Sequence, residues 1–309
     1  MLDNSHKSLP EAILYTVAYS DIFDYPLTAG EIHRYLTYAK VSSEMVNQVL
    51  QNGNLLIQTG NYFTLLGRKE IVSIRMEREA RSRELMPHAL RYGRILGSLP
   101  FIRMVALTGS LAVMNVSGNA DFDYMLITVP ERVWTARAFA LLFNRMVKLF
   151  GHTICPNLII SENALAWFQH DLYTARELCQ MIPIAGMGVY QRLIKANEWA
   201  TEYLPNAFME SNSLLSNLPE QVPALQKILE LPLRGKLGNL FEQWEMNRKI
   251  ARFSMQEGFG TETVFNSEIC QGNFDHHARW TQKEFKQRLD NLSHNFPVPA
   301  GEGISVKTT

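Results

Sequence analysis

The chain has 309 residues, 46% of them hydrophobic and 19% charged, with 30 basic residues balancing 30 acidic ones. That length fits about two domains with real cores, and the charge balance leaves no global field to recruit nucleic acid or a membrane surface. Three scattered cysteines, Cys155, Cys179 and Cys270, lack paired spacing, which favours reduced thiols in a cytoplasm over disulfides or zinc. No secretory leader is read at the start, and Arg137, Arg145 and Lys148 interrupt the best apolar stretch, so no membrane association is expected.

In chain order, residues 9–68 form a self-contained pattern. Pro10 begins a helical run with Ile13, Leu14, Val17 and Ala18 on one face, ended by residues 24–26. Thr28 and Glu31 make a capping box for a second helix, and Ser42 or Ser43 caps a third that stops at Gly53. Two strand-like runs flank Gly60 and Asn61, a two-residue hairpin signal. Three helices and a hairpin predict a winged helix. Its third helix carries Glu44 and no Lys or Arg, and residues 1–67 hold six acids against Lys7, Arg34 and Lys40. Phosphate contacts dominate non-specific DNA affinity, so DNA binding is disfavoured, and a protein partner, a homodimer contact or an acceptor-positioning role is expected of this module.

Residues 68–103 carry nine basic and four acidic residues around apolar positions that predict a long helix bent near Pro87. Intrahelical pairs such as Glu79 with Arg83 account for these charges better than triphosphate contacts from Arg91 or Arg94. Residues 103–108 then read as a strand that stops at Gly109, where the missing Cβ allows close approach of a ligand. Ser110 opens a helical turn whose free N–H groups suit an anion.

Asp121 and Asp123 begin a second apolar strand, and a side-chain period of two puts both carboxylates on one face. Two such charges about 4 Å apart repel by roughly 4 kcal/mol at an effective dielectric near 20, so the pair needs a cation, and magnesium supplies it. Residues 131–150 predict an amphipathic helix returning to a third strand over 153–160. Helices are expected over 162–168, 172–181, 189–204, 233–258 and 274–292, with a surface connection over 207–232 and a disordered tail within 293–309. Tyr173, Arg176, Tyr190 and Trp199 fall on helical stripes that suit core packing as well as a pocket wall. His276 and His277 lack a ligand partner at metal spacing.

Gly109 and Ser110, followed after ten residues by Asp121 and Asp123, resemble the signature of the nucleotidyltransferase superfamily that includes DNA polymerase beta, poly(A) polymerase and the antibiotic nucleotidyltransferases. The whole layout looks like uncharacterised bacterial nucleotidyltransferase-domain proteins with an N-terminal winged helix. The resemblance implies an α+β fold: a winged-helix module (9–68), a small mixed-sheet nucleotidyltransferase core with its leading helix (69–161) and a helical domain (162–292). It implies that Gly109 and Ser110 contact a nucleoside triphosphate, that Asp121 and Asp123 are catalytic and hold Mg2+ or Mn2+, and that a nucleotidyl group passes to an unidentified acceptor hydroxyl with release of pyrophosphate. Family members commonly carry a third carboxylate on a later strand. Here that position offers Asn157, which cannot act as a base near neutral pH. Glu162 and Asp171 are possible substitutes, although first-turn or capping acids are the better reading of both. The same substitution leaves a nucleotide-binding scaffold as an alternative, and the winged helix leaves a transcriptional regulator.

Overall fold

A computed structural model describes residues 8–52, 55–118, 121–208, 224–260 and 262–295. The chain mixes helices with two sheets. The N-terminal unit comprises α1 (Leu9–Asp21), the short β1 (Leu27–Thr28), α2 (Ala29–Arg34), α3 (Ser43–Asn52), β2 (Ile57–Thr59) and β3 (Tyr62–Thr64). The Thr28–Glu31 capping box forms as its spacing predicts, with Glu31 N–H bonded to Thr28 Oγ1 at 3.3 Å and Thr28 N–H to Glu31 at 2.8 Å. Gly60, at φ +60°, and Asn61 join β2 to β3, and β1 adds a third antiparallel strand beyond β3.

The long helix is continuous from Ile71 to Gly97 through Pro87 and is labelled α4. Its first turns bind the N-terminal unit. Arg75 pairs with Glu31 at 2.7 Å and lies over the rings of Tyr25 and Tyr62, while Arg78 donates to the Phe23 carbonyl at 2.8 Å.

The larger sheet is built from β4 (Ile102–Leu107), β5 (Phe122–Thr128) and β6 (Ile154–Ser161), separated by the single-turn α5 (Gly109–Ala112) and by α6 (Val133–Lys148). After α7 (Leu172–Gln180), β7 (Ile182–Ala185) pairs antiparallel with β4. Helices α8 (Met187–Ala196), α9 (Ala200–Tyr203), α10 (Ala224–Glu230) and α11 (Lys236–Phe253) follow, then β8 (Thr263–Phe265), β9 (Ile269–Gly272) and α12 (His277–Asn295). The strand order is β7-β4-β5-β6-β9-β8, with β5 and β6 parallel and every other pair antiparallel. Residues 162–292, expected to be helical, therefore also supply three strands of this sheet.

Both faces of the sheet are covered, which explains the nearly unbroken apolar runs in its central strands. On one face Val105, Leu107, Phe122, Tyr124 and Leu126 pack with residues of α4, α6 and α11. On the other, Met104, Ala106, Met125 and Ile127 pack under α7, α8 and α9 and against Tyr19 and Tyr35 of the N-terminal unit. Asp123 shares the second face, at the open end of β5.

Three elements depart from expectation. Residues 162–168 form a turn and an irregular loop in place of a helix, because Asn197 takes their backbone groups: its side chain accepts from Trp167 N–H at 2.9 Å and donates to the Leu165 carbonyl at 2.7 Å. The same Asn197 separates α8 from α9 within the expected helix 189–204. Of the expected connection 207–232, residues 209–223 lie outside the described residues, and 224–230 are the well-anchored α10. Residues 293–295 continue α12, and the rest of the expected tail lies outside the described residues.

Glu230 ends α10 fully buried and clamps the start of β4. Its carboxylate receives Arg103 at 2.8 and 3.0 Å, Phe101 N–H at 2.9 Å and Arg234 at 2.6 Å. Burial opposes its ionisation, but the hydrogen bonds from Arg103, Arg234 and Phe101 outweigh burial and hold the carboxyl at about 2. A lowered carboxyl value contributes stability above the ordinary value of 4.5 that is lost as pH falls toward 2. Glu230→Gln is expected to cost on the order of 3 kcal/mol at pH 7. Chemical denaturation should show the gap closing between pH 4.5 and 2; a constant gap would refute the ion-pair account.

Candidate functional site

The last residues of β4 and the first of β5 bring the sequence signature together. Thr108 N–H donates to the Asp123 carbonyl at 2.9 Å, which presses the β4–α5 turn against β5. Gly109, at φ +67°, occupies the turn, and a Cβ there would lie 2.4 Å from Asp123 Oδ2. Both the left-handed backbone and the close carboxylate therefore require glycine. Ser110 follows within α5, and with four residues that helix has little dipole to offer. Thr108, Gly109, Ser110 and Asp123 all line one cavity of about 720 Å³.

Asp121 is exposed just ahead of β5, within electrostatic reach of the half-buried Asp123. Burial first, and then the charge of Asp121, push the Asp123 carboxyl up to about 6, against a hydrogen bond with Cys155. Cys155 is paired with Asp123 across the parallel β5–β6 register. Burial and the Asp123 charge push its thiol up to about 12, so it stays protonated and donates. Two residues on, the β5–β6 register slips at Asn157, a bulge that turns this exposed residue toward the turn, where its Nδ2 donates to Thr108 Oγ1 at 3.3 Å.

The two substitutes considered for a third carboxylate lie elsewhere. Glu162 pairs with Arg192 at 2.5 Å, and Asp171 caps α7 through Thr174 N–H at 2.8 Å. The acid that does face Asp123 is Glu177 of α7, which the sequence reading passed over. It is half-buried in the same cavity, and among the described residues it makes no hydrogen bond or ion pair. Burial, followed by the Asp123 charge, pushes it up to about 7. A helical spacing marks it in the sequence: Tyr173, Arg176, Glu177 and Gln180 all line the cavity, while Leu172, Ala175, Leu178 and Cys179 face the core. Arg91 and Arg94 are exposed on α4 and do not line the cavity.

The remaining walls come from distant parts of the chain. Tyr19, Phe23 and Tyr25 of the N-terminal unit form one, and Trp280 and Thr281 of α12 another. Phe23 meets Trp280 edge-on at 5.9 Å, and Tyr19 meets Phe285 at 5.4 Å, so the two walls brace each other.

Among the described residues, no group of three or more His, Cys, Asp or Glu side chains converges as a self-sufficient metal site. Magnesium is commonly held by one or two carboxylates plus substrate phosphates, and the carboxylates that could serve are Asp123, which lines the cavity, and the exposed Asp121 beside it. Among the described residues no cation pairs with Asp123, so its carboxyl is raised by burial and by Asp121 without an opposing positive charge. Compared with family models, curated proteins and solved structures, the chain matches none. No helix among the described residues is long and apolar enough to cross a membrane.

A carboxyl raised in the folded state costs stability wherever it is ionised there. Above pH 6 Asp123 carries that cost in full, and below its ordinary value of 3.8 it is protonated whether folded or not. Asp123→Asn is therefore expected to stabilise the metal-free protein at pH 8 by on the order of 2 kcal/mol, an advantage that fades as pH falls from 6 to 4. Melting curves in chelator at several pH values test this, and a less stable variant at pH 8 would contradict it.

Proposed function

We propose that this chain is a metal-dependent nucleotidyltransferase, moving a nucleotidyl group from a nucleoside triphosphate to an acceptor hydroxyl with release of pyrophosphate. One observation carries the reading: a side-chain-free backbone turn at Gly109 is held against Asp123, with Asp121 and Glu177 in electrostatic reach, at a cavity large enough for a small molecule. In this reading β4, β5 and β6 are the nucleotidyltransferase core. The N-terminal unit is a winged helix that serves as a cavity wall and as a contact for a protein partner, and the setting is cytoplasmic.

Gly109 and Ser110 present backbone and hydroxyl groups to the triphosphate, and Asp121 and Asp123 would hold Mg2+ or Mn2+. When bound, the ion neutralises phosphate charge, including that developing on the leaving pyrophosphate. The acceptor oxygen attacks the α-phosphorus in line, its bond to the β-phosphate oxygen breaks, and the hydroxyl proton passes to Glu177. Glu177 can take that proton where Asn157 cannot, and its lack of a hydrogen-bond partner among the described residues supports this role. Asn157 is left to hold Thr108 and with it the turn. Placement of the two substrates supplies much of the acceleration.

A screen of labelled triphosphates with magnesium or manganese, scored for pyrophosphate and for label on the protein itself, tests the proposal. Asp123→Asn and Glu177→Gln are each expected to lower turnover by at least about 100-fold while remaining folded. An Asp123→Asn enzyme as fast as the wild type would sink the assignment. Calorimetry showing triphosphate binding with no pyrophosphate release would select the scaffold reading that Asn157 favours.

A further inference from the structure

We propose that the cavity beside Asp123 binds a small organic acid, its carboxylate or phosphate oxyanion held by Arg176 and Trp167. Naming this acid as the acceptor rests on the nucleotidyl-transfer reading above, whereas the binding site itself does not.

Arg176 is 2% exposed yet lines the cavity. Its guanidinium lies 4.9 Å from the ring of Tyr19 and 4.6 Å from that of Tyr35, and its hydrogen bond is a 3.3 Å contact from Nη2 to the Tyr35 carbonyl. Nε has no partner, and among the described residues Arg176 forms no ion pair. Arginine stays charged even when burial disfavours it, so a full positive charge faces two aromatic rings with no counter-anion among the described residues.

It is not the only donor left waiting on this cavity. Trp167 and Thr281 line the same space, and among the described residues their buried Nε1 and Oγ1 atoms lack partners. The Arg and Trp groups can only donate, so the ligand atoms that meet them must be acceptors, and although Asp123, Glu177, Glu262 and Asp275 also line the cavity, the charge beside these donors is the positive charge of Arg176. An oxyanion meets both requirements, and Arg is the side chain best shaped for carboxylate or phosphate. The apolar side chains of Met125, Leu158 and Ile160 and the rings of Phe23, Tyr173 and Trp280 leave room for an apolar or aromatic body. The cavity volume of about 720 Å³ falls within the roughly 300–1,000 Å³ typical of small-molecule sites. Asp123 and Glu177 offer acceptors for a hydroxyl and no attraction for an anion, which orients the acid: oxyanion toward Arg176, hydroxyl toward the carboxylates.

The test is calorimetry and thermal melting of the full chain in chelator, without triphosphate. Phenyl phosphate and 4-hydroxybenzoate are compared with neutral 4-hydroxybenzyl alcohol and cationic benzylamine. Both acids are expected to bind the wild type at least about 10-fold more tightly than the alcohol or the amine. Arg176→Lys, which keeps the charge but loses the planar fork, should lose most of that preference. Equal binding of the neutral or cationic probe, or undiminished acid binding by Arg176→Lys, would overturn the proposal. The wild-type comparison decides the matter even if a variant fails to fold. ATP in chelator forms a separate arm: if its binding depends on Arg176 while neither acid binds, Arg176 serves the triphosphate and the acid site is refuted. Acid binding with no pyrophosphate release under any condition would support the site and remove only the transfer reading.

Discussion

The contact between the β4–α5 turn and Asp123 is the constraint on which the site depends. The sheet hydrogen bond from Thr108 to Asp123 sets the distance, and the missing Cβ of Gly109 makes that distance possible. A side chain at Gly109 would push the turn away from β5 or turn the carboxylate aside, and either change would separate the backbone cradle from its acid. The alternation of β5 then determines the rest. Because Met125 and Ile127 are buried on the same face as Asp123, the carboxylate cannot swing to bulk water without slipping the strand by a residue. The raised carboxyl value follows from that confinement.

Confinement at Asp123 is reinforced by segments far away in sequence. The N-terminal unit docks through Arg34 to the Cys179 carbonyl at 3.2 Å, Asn206 to the His33 carbonyl at 3.0 Å, and Tyr38 N–H to the Tyr203 carbonyl at 2.8 Å. Each bond joins that unit to the α7–α9 side of the sheet. On the other flank Arg68 and Arg288 share Asp21 at 2.9 and 2.7 Å, tying α12 to the same unit. Thus α1, α7 and α12 are held in mutual register around the space in front of Asp123, and the cavity is a product of the whole chain's packing. The N-terminal unit contributes Tyr19, Phe23 and Tyr25 to that packing as a wall of the cavity.

Much of this was legible in the residues. Capping residues and apolar periods located α1, α2, α3, α4, α6 and the three central strands, because each signal is local and no tertiary contact overrides it. The juxtaposition of Gly109 with Asp123 was legible too, since a glycine ending one buried strand and a carboxylate opening the next have few ways to pair. What escaped was set by partners distant in sequence. The loop 162–168 lost its helix to Asn197, α10 is pinned by the Glu230 ion-pair cluster, and three strands of the large sheet come from a region whose helical periods are stronger than its strand signals. Glu177 escaped for a related reason. Its helix reads as an ordinary amphipathic stripe, and only the fold shows that the polar side of that stripe turns toward another acid rather than toward solvent.

The charges that line the cavity argue for a division of its interior. Asp123 and Glu177 are acids whose ionisation the surroundings resist, whereas Arg176 is a base whose charge is answered by no acid among the described residues, although Glu177 is its neighbour in sequence. In a folded chain free to relax, a buried arginine and two strained carboxylates lining one space would lower their energy by pairing. Successive positions on α7 point about 100° apart, so helix geometry keeps the Arg176 and Glu177 side chains on different bearings, and the aromatic rings of Tyr19 and Tyr35 hold the guanidinium in place. Opposite charges kept apart in this way define a gradient across the cavity, favourable to a cation at one end and to an anion at the other. Ligands of complementary charge would meet groups that the fold leaves without partners of opposite sign, which favours ligands by charge as well as by shape.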